Sequence, residues 1–236
     1  MKTTIFTATI FAAATAFAAD NATATTQTAT TQPTAKGWTH FVGAGVTVPV
    51  SKYNIEKTDY SMVSGGINLS YMGIGKSGFA VRTTWSAGAG FTDDVKFKAD
   101  DDNTAGTYTA GEIGVGYGFV NTPGWTVAAF AMVGIEAAVF TSETETYKHQ
   151  ELGKVDQTRS VTIGAFTLGG DVVVRKAIGQ HAGLFASVGG RWVPVAVSIN
   201  TNKYEKDDFT RTDDINSDKS DGGFTVVPTL GAMWSF

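Results

Sequence analysis

The chain has 236 residues, no cysteine, 28 glycines and a formal net charge of −4. That length suits one large all-β domain or two small ones, and the acidic balance excludes a nucleic-acid partner held by its phosphates. Without cysteine there is neither a disulfide framework nor a lipidated N-terminal anchor.

Met1 and Lys2 precede an apolar stretch from Ile5 to Phe17, and Ala16-Phe17-Ala18 offers the small-x-small site of signal peptidase. Residues 1–18 therefore read as a secretory signal. Residues 19–36, almost entirely Thr, Ala, Gln and Asn, carry no apolar periodicity and read as a disordered periplasmic leader.

From 37 to 236 one pattern repeats: an alternating segment, a polar stretch, another alternating segment, a short turn. The predicted strands are 38–50, 62–71, 79–91, 108–120, 125–140, 161–175, 184–197 and 224–236, about eight in all, each long enough to cross a bilayer at a tilt. The connections 73–77, 121–124 and 176–182 are short and rich in Gly or Pro, as tight turns require. Those at 51–61, 92–107, 141–160 and 198–223 are long and hold most of the Asp, Glu and Lys. Short turns at one end and long polar loops at the other predict an antiparallel up-and-down transmembrane β-barrel with short periplasmic turns and long extracellular loops. The most apolar candidate for a membrane helix, 125–140, is broken by Glu136.

Side-chain size separates this fold from a soluble barrel. The segment 79–91 sets Phe79, Val81, Thr83, Trp85, Ala87, Ala89 and Phe91 against Arg82, Thr84, Ser86, Gly88 and Gly90. The next sets Ile113, Val115, Tyr117 and Phe119 against Glu112, Gly114, Gly116 and Gly118. A soluble ligand-binding barrel would turn its bulky apolar face inward, whereas a narrow lumen within lipid takes the small and polar one. Arg82, Glu112, Glu136, Asp171, Arg175 and Arg191 all fall on that small, polar face. A charge facing lipid near the midplane costs about 2–4 kcal/mol, so the six are expected to form an ion-pair network in the lumen. Counting residues from the short turns places Glu112, Glu136 and Arg191 in one tier, with Arg82 and Asp171 lower.

Trp38, Tyr71, Phe79, Phe119, Trp125, Trp234 and Phe236 lie at strand ends beside the short turns or termini, as in an interfacial aromatic girdle. Phe91, Phe140 and Phe224 supply a thinner second one. Pro49, Pro194 and Pro228 interrupt strands 1, 7 and 8; either the wall is bulged there or its ladder ends lower. His40, His149 and His181 sit on different elements with no metal-ligand spacing. His149 beside Glu145 or Glu151 is too slight a basis for a catalytic set, and neither metal nor cofactor is expected. Asp214, Asn216 and Asp218 begin like a calcium loop, but Lys219 replaces the turn glycine. The acidic clusters at 100–102 and 213–221 read as solvated loop tips.

The chain ends Thr229-Leu230-Gly231-Ala232-Met233-Trp234-Ser235-Phe236. Thr229, Gly231, Trp234 and Phe236 resemble the terminal signal by which the barrel-assembly machinery recognises outer-membrane proteins. Together with eight strands, a signal peptide and long outer loops, the chain resembles the small outer-membrane barrels: the transmembrane domain of outer membrane protein A, outer membrane protein X and the opacity adhesins. The resemblance covers 38–236 and is architectural, and tethering through the peptidoglycan-binding domain of outer membrane protein A is not expected. It implies a non-enzymatic protein of the bacterial outer membrane, embedded in lipid and reaching host or envelope surfaces through its loops. A narrow channel for small solutes is the alternative.

Overall fold

The computed structural model describes residues 37–55, 58–98, 103–149, 153–206 and 209–236, with 209 and 214–221 described by their backbone alone. The signal segment 1–18, the leader 19–36, the acidic tip 100–102 and Glu151 lie outside the described residues. So do the side chains of Asp214, Asn216, Asp218 and Lys219.

The strands are β1 (Thr39–Thr47), β2 (Val50–Ile55), β3 (Thr58–Ile74), β4 (Phe79–Thr92), β5 (Thr104–Asn121), β6 (Trp125–Thr141), β7 (Glu145–His149), β8 (Gly153–Ala177), β9 (Ala182–Lys206) and β10 (Phe209–Ser235). All pairings are antiparallel. The wall is a ring of eight strands, in which β1 and β2 together count as one, followed by β3, β4, β5, β6, β8, β9 and β10; β7 pairs only along the extension of β8. Closure is made by β1 against β10, from Phe41↔Ser235 to Thr47↔Thr229. It continues to the last residue, where His40 N–H donates to Phe236 O at 3.2 Å and Phe236 N–H to His40 O at 3.0 Å. No edge is left to lipid, where an unpaired amide has no water to bond.

The prolines act in two different ways. Pro49 interrupts the strand between β1 and β2, yet Thr47↔Thr229 and Val50↔Val226 keep one register, so no residue is inserted. The carbonyls stay in use: Val48 N–H donates to Pro228 O at 3.1 Å and Ser64 N–H to Pro49 O at 2.8 Å. What is lost is donors alone. At Pro194 the partners jump from Phe166↔Val195 to Leu168↔Trp192, which gives β9 an extra residue and a bulge. Below it Arg191 and Val193 are buried; above it Ala196 and Ser198 take over the inward face.

Several strands overrun their predicted ends. β8 and β9 have 25 residues each and β10 has 27, well beyond a bilayer crossing. The stretches 51–61, 141–160 and 198–223, expected as loops, are mostly continuations of the wall as paired hairpins. Tyr, Val and Thr keep strand propensity there while Lys and Glu occupy a face that meets water. Between β4 and β5, Val95 is buried against the cluster of Tyr53, Ile55, Tyr108 and Phe140. Of the short turns, the one before β4 closes with Gly78 N–H on Gly75 O at 2.9 Å, and Gly78 takes φ +85°, which only glycine adopts without strain.

The faces are inverted relative to a soluble protein. Ile67, Ile113, Ile135 and Leu230 are exposed, Ile135 to 67 %, whereas Arg82 is 3 % and Arg191 1 % exposed. Large apolar side chains are exposed on every strand of the wall, and together they form a belt for lipid. Phe140 corrects one expectation: sharing the inward parity of Glu136, it is fully buried in the lumen and not part of the outer girdle. Trp192, paired in register with Phe224, faces outward beside it. Bulky apolar groups also close the lumen at both ends. Phe41, Met72, Ile74, Phe130, Phe185 and Met233 pack at the short-turn end; Tyr53, Ile55, Met62, Val95, Tyr108 and Phe140 pack at the other. We expect Ile113→Lys, outward and near mid-height, to lower stability by about 2–4 kcal/mol in denaturant titrations of the vesicle-refolded protein.

Candidate functional site

Between the two apolar plugs the inward faces of β4, β5, β8 and β9 carry one chain of four charges. Asp171 is its hinge. Arg82 Nη1 donates across the lumen to Asp171 Oδ2, and Arg191 Nη2 donates to Asp171 Oδ1 at 2.7 Å. Arg191 then spans the lumen to Glu112, with Nε on Oε1 and Nη2 on Oε2 at 2.9 Å, a fork matched to a carboxylate. The remaining donors are also placed: Arg191 Nη1 on Gly170 O at 2.8 Å, Arg82 Nη2 on Ser187 Oγ at 3.2 Å, and Thr84 Oγ1 on Glu112 Oε2 at 3.1 Å. Two cations and two anions cancel, and nearly every polar atom has a partner, which is the condition for burying such a set.

Gly189 makes the room. It lies opposite Asp171 in the β8–β9 ladder, and a Cβ there would fall on the Asp171 carboxylate and the Arg191 guanidinium. The Gly189-Gly190-Arg191 sequence is the signal for it: a residue with no side chain two places before an inward arginine.

The two expected tiers are not separate. Arg191 joins Glu112 to Asp171, so the tier boundary passes through one guanidinium. Glu136 stands apart, one inward position nearer the extracellular end, because Ala110 is its partner in the ladder while Glu112 faces Gly134. Its Oε1 accepts from Tyr53 Oη at 2.8 Å and from Thr225 Oγ1 at 2.9 Å, and its Oε2 from Tyr108 Oη at 3.2 Å. Among the described residues no cation pairs with it. Tyr53 and Thr225 reach it across the lumen from β2 and β10; sequence reasoning missed all three hydroxyls, although each shares the inward parity of its strand.

Arg175 also leaves the expected network. It sits in the lower plug with its guanidinium 5.1 Å from the centroid of the Phe41 ring, and Nη2 donates to His181 O at 2.9 Å. No carboxylate among the described residues pairs with it.

The terminal residues Thr229, Gly231, Trp234 and Phe236 divide between the two faces of β10. Thr229 is buried with Oγ1 3.1 Å from Thr47 Oγ1, and Gly231 faces Gly45 at the closing seam. Trp234 stacks on His181 at 5.5 Å and Phe236 on His40 at 5.7 Å between ring centroids. Two of the three histidines thus hold the C-terminus. The third, His149 on β7, packs edge-on against Tyr204 at 5.0 Å.

At the extracellular mouth a cleft of about 360 Å³ lies between Tyr60, Phe97, Arg159, Val161, Asn200 and Asn202. Two rungs of the β8–β9 ladder build one side of it: Arg159 opposite Asn202, and Val161 opposite Asn200.

No family model matches the chain, and no curated protein matches it by sequence. Among solved structures it is similar to Neisserial surface protein A, at 12% identity over 84% of this chain and 97% of that one, TM-score 0.43. It is similar also to a major outer membrane protein from Thermus thermophilus, at 14% identity over 82% and 99%, TM-score 0.45. A third is outer membrane protein AlkL, whose structure was determined in lipid bilayers, at 12% identity over 90% and 96%, TM-score 0.47. These likenesses are loose, and the class follows from the molecule itself: a closed ring, apolar outside and charged within, is a transmembrane β-barrel of the outer-membrane type.

Arg191→Ala removes the cation shared by Glu112 and Asp171, and we expect a loss of about 3–5 kcal/mol in equilibrium unfolding. Arg191→Lys should recover only part of it, since an ammonium cannot make the fork.

Proposed function

We propose that this protein is a closed, non-enzymatic surface barrel whose extracellular hairpins and mouth cleft contact host or envelope surfaces. The observation that supports this reading is the lumen, filled at three successive levels by an apolar plug, an ion-paired chain and a second apolar plug. A passage for solutes needs continuous polar surface with room for water, and an eight-stranded wall leaves space for little beyond its own side chains. The extensions of β8, β9 and β10 are paired beyond the membrane belt, with aromatic, amide and guanidinium groups at the mouth. In this reading 1–18 is removed on export, 19–36 is a periplasmic leader, and 37–236 is the barrel.

Planar-bilayer recording on the refolded protein tests the closed lumen. We expect no steady conductance; large, steady single-channel currents would put the narrow-channel reading first.

We propose further that Thr229, Gly231, Trp234 and Phe236 are read by the assembly machinery before they enter the seam. The Trp234→Ser, Phe236→Ser double variant should then lose the folded form that migrates differently on gels before boiling, and should collect in the periplasm. Assembly at the normal level would make these residues a strand end and nothing more.

A further inference from the structure

The mouth cleft sits on the upper apolar plug. Tyr60, Arg159, Val161, Asn200 and Asn202 share the inward parity of buried Met62, Ile163 and Ser198 on their strands, so the cleft belongs to the interior face of the wall and not to its lipid side. Its floor is apolar: Val95 is buried in the plug, and Tyr60, Phe97 and Val161 pack against the same cluster. Its rim is polar and largely unpaired. Among the described residues the Arg159 guanidinium and the Lys96 ammonium have no ion-pair or hydrogen-bond partner, and the Asn200 amide bonds to nothing. Asn202 Nδ2 donates to Tyr204 Oη at 3.2 Å, which leaves Oδ1 as an acceptor. Asp94 has one carboxylate oxygen on the Ser61 N–H at 2.6 Å.

A ligand fitted to this lining has an apolar face for the aromatic floor, hydroxyls for two amides, and one negative charge. The charge count follows from the lining, where Arg159 and Lys96 against Asp94 leave a surplus of one cation. A polyanion would bring its further charges up against Asp94. A guanidinium forks onto a planar carboxylate, and a volume of about 360 Å³ is at the small end for ligand sites, enough for a sugar end group and its linkage. The C–H groups of a pyranose supply the apolar face. We propose, resting on the reading of the cleft as a contact surface, that it is a subsite for the carboxylated end sugar of a glycan, a hexuronate or its like. Arg159 takes the carboxylate, Asn200 and Asn202 the hydroxyls, and Tyr60 and Phe97 the ring. Lys96 adds to the field at the rim.

The test is calorimetric titration of the refolded full chain at low salt with methyl β-glucuronide and with methyl β-glucoside, the neutral sugar of the same shape. The glucuronide should bind about 10–100-fold more tightly, the worth of a hydrogen-bonded charge. Arg159→Ala should remove that preference and leave the glucoside as it was, and Arg159→Lys should recover part of it. The Arg159 side chain bonds to nothing in the protein, so both variants should keep the folded form that migrates differently on gels before boiling. Phe97→Ala should weaken both sugars alike. The methyl ketoside of 3-deoxyoctulosonate, an acid sugar of envelope polysaccharide, separates the sources: if it binds more tightly than the glucuronide the partner is envelope, and if less tightly a host glycan.

Equal binding of glucuronide and glucoside, a preference that survives Arg159→Ala, displacement of the glucuronide by an equal concentration of acetate, or tighter binding of a polysulfated disaccharide would each overturn the subsite. Absence of sugar binding in a protein that still adheres to host or envelope surfaces would overturn it too, and would leave the surface role standing. Steady channel currents would instead count against that role without touching the sugar titration.

Discussion

The constraint on which the structure depends is that lipid cannot hydrogen-bond a peptide group. Every backbone amide at membrane depth must find its partner in the wall, so the sheet closes on itself and the side chains sort into two populations by parity. Closing with eight strands fixes the radius, and the radius is about that of packed side chains. From this the interior chemistry follows. An arginine on β4 or β9 reaches an acid three wall strands away, and a tyrosine on β2 reaches Glu136 on the opposite wall. In a wider barrel the same residues would line water.

A charged centre between apolar ends looks costly, because each ion must leave water. Its arrangement reduces that cost. Asp171 uses both oxygens, on two different arginines; Glu112 is held by a fork and by Thr84; Gly189 withdraws its side chain so that guanidinium and carboxylate can meet. The plugs in turn strengthen the chain, since a site without water screens opposite charges less. Removing a plug would weaken the ion pairs without touching them.

Much of this was legible in the sequence because a strand has an integral period. Glu112 and Ile113 fall on opposite faces of any strand that contains them, so the lipid belt, the inward charges and the barrel itself could be read from alternation. Phe140 shows how easily the same rule is misapplied, since its parity with Glu136 already placed it inside. Other features were not legible, for separable reasons. Which acid meets which arginine depends on the angle around the ring, and counting height along strands is blind to that; hence the two expected tiers, four members of which form one chain while Glu136 stands apart. The extracellular hairpins were missed because Lys, Glu, Asp and Asn break up the apolar alternation there, although one face still buries Tyr53, Ile55, Val155 and Gln157. The prolines in β1–β2, β9 and β10 could be seen to interrupt the ladder, but whether a residue is inserted depends on the partner strand.

The struts across the lumen also bear on time. Arg82 and Asp171 are 89 positions apart in sequence, and Arg191 and Glu112 are 79 apart. No hairpin brings either pair together, so these bonds form only once the sheet between them has curved round. Interactions made after the rate-limiting step of folding do little to speed it and act on the reverse reaction, slowing escape from the native state. An ionic chain formed late in this way governs how long a folded molecule lasts more than how quickly one is made.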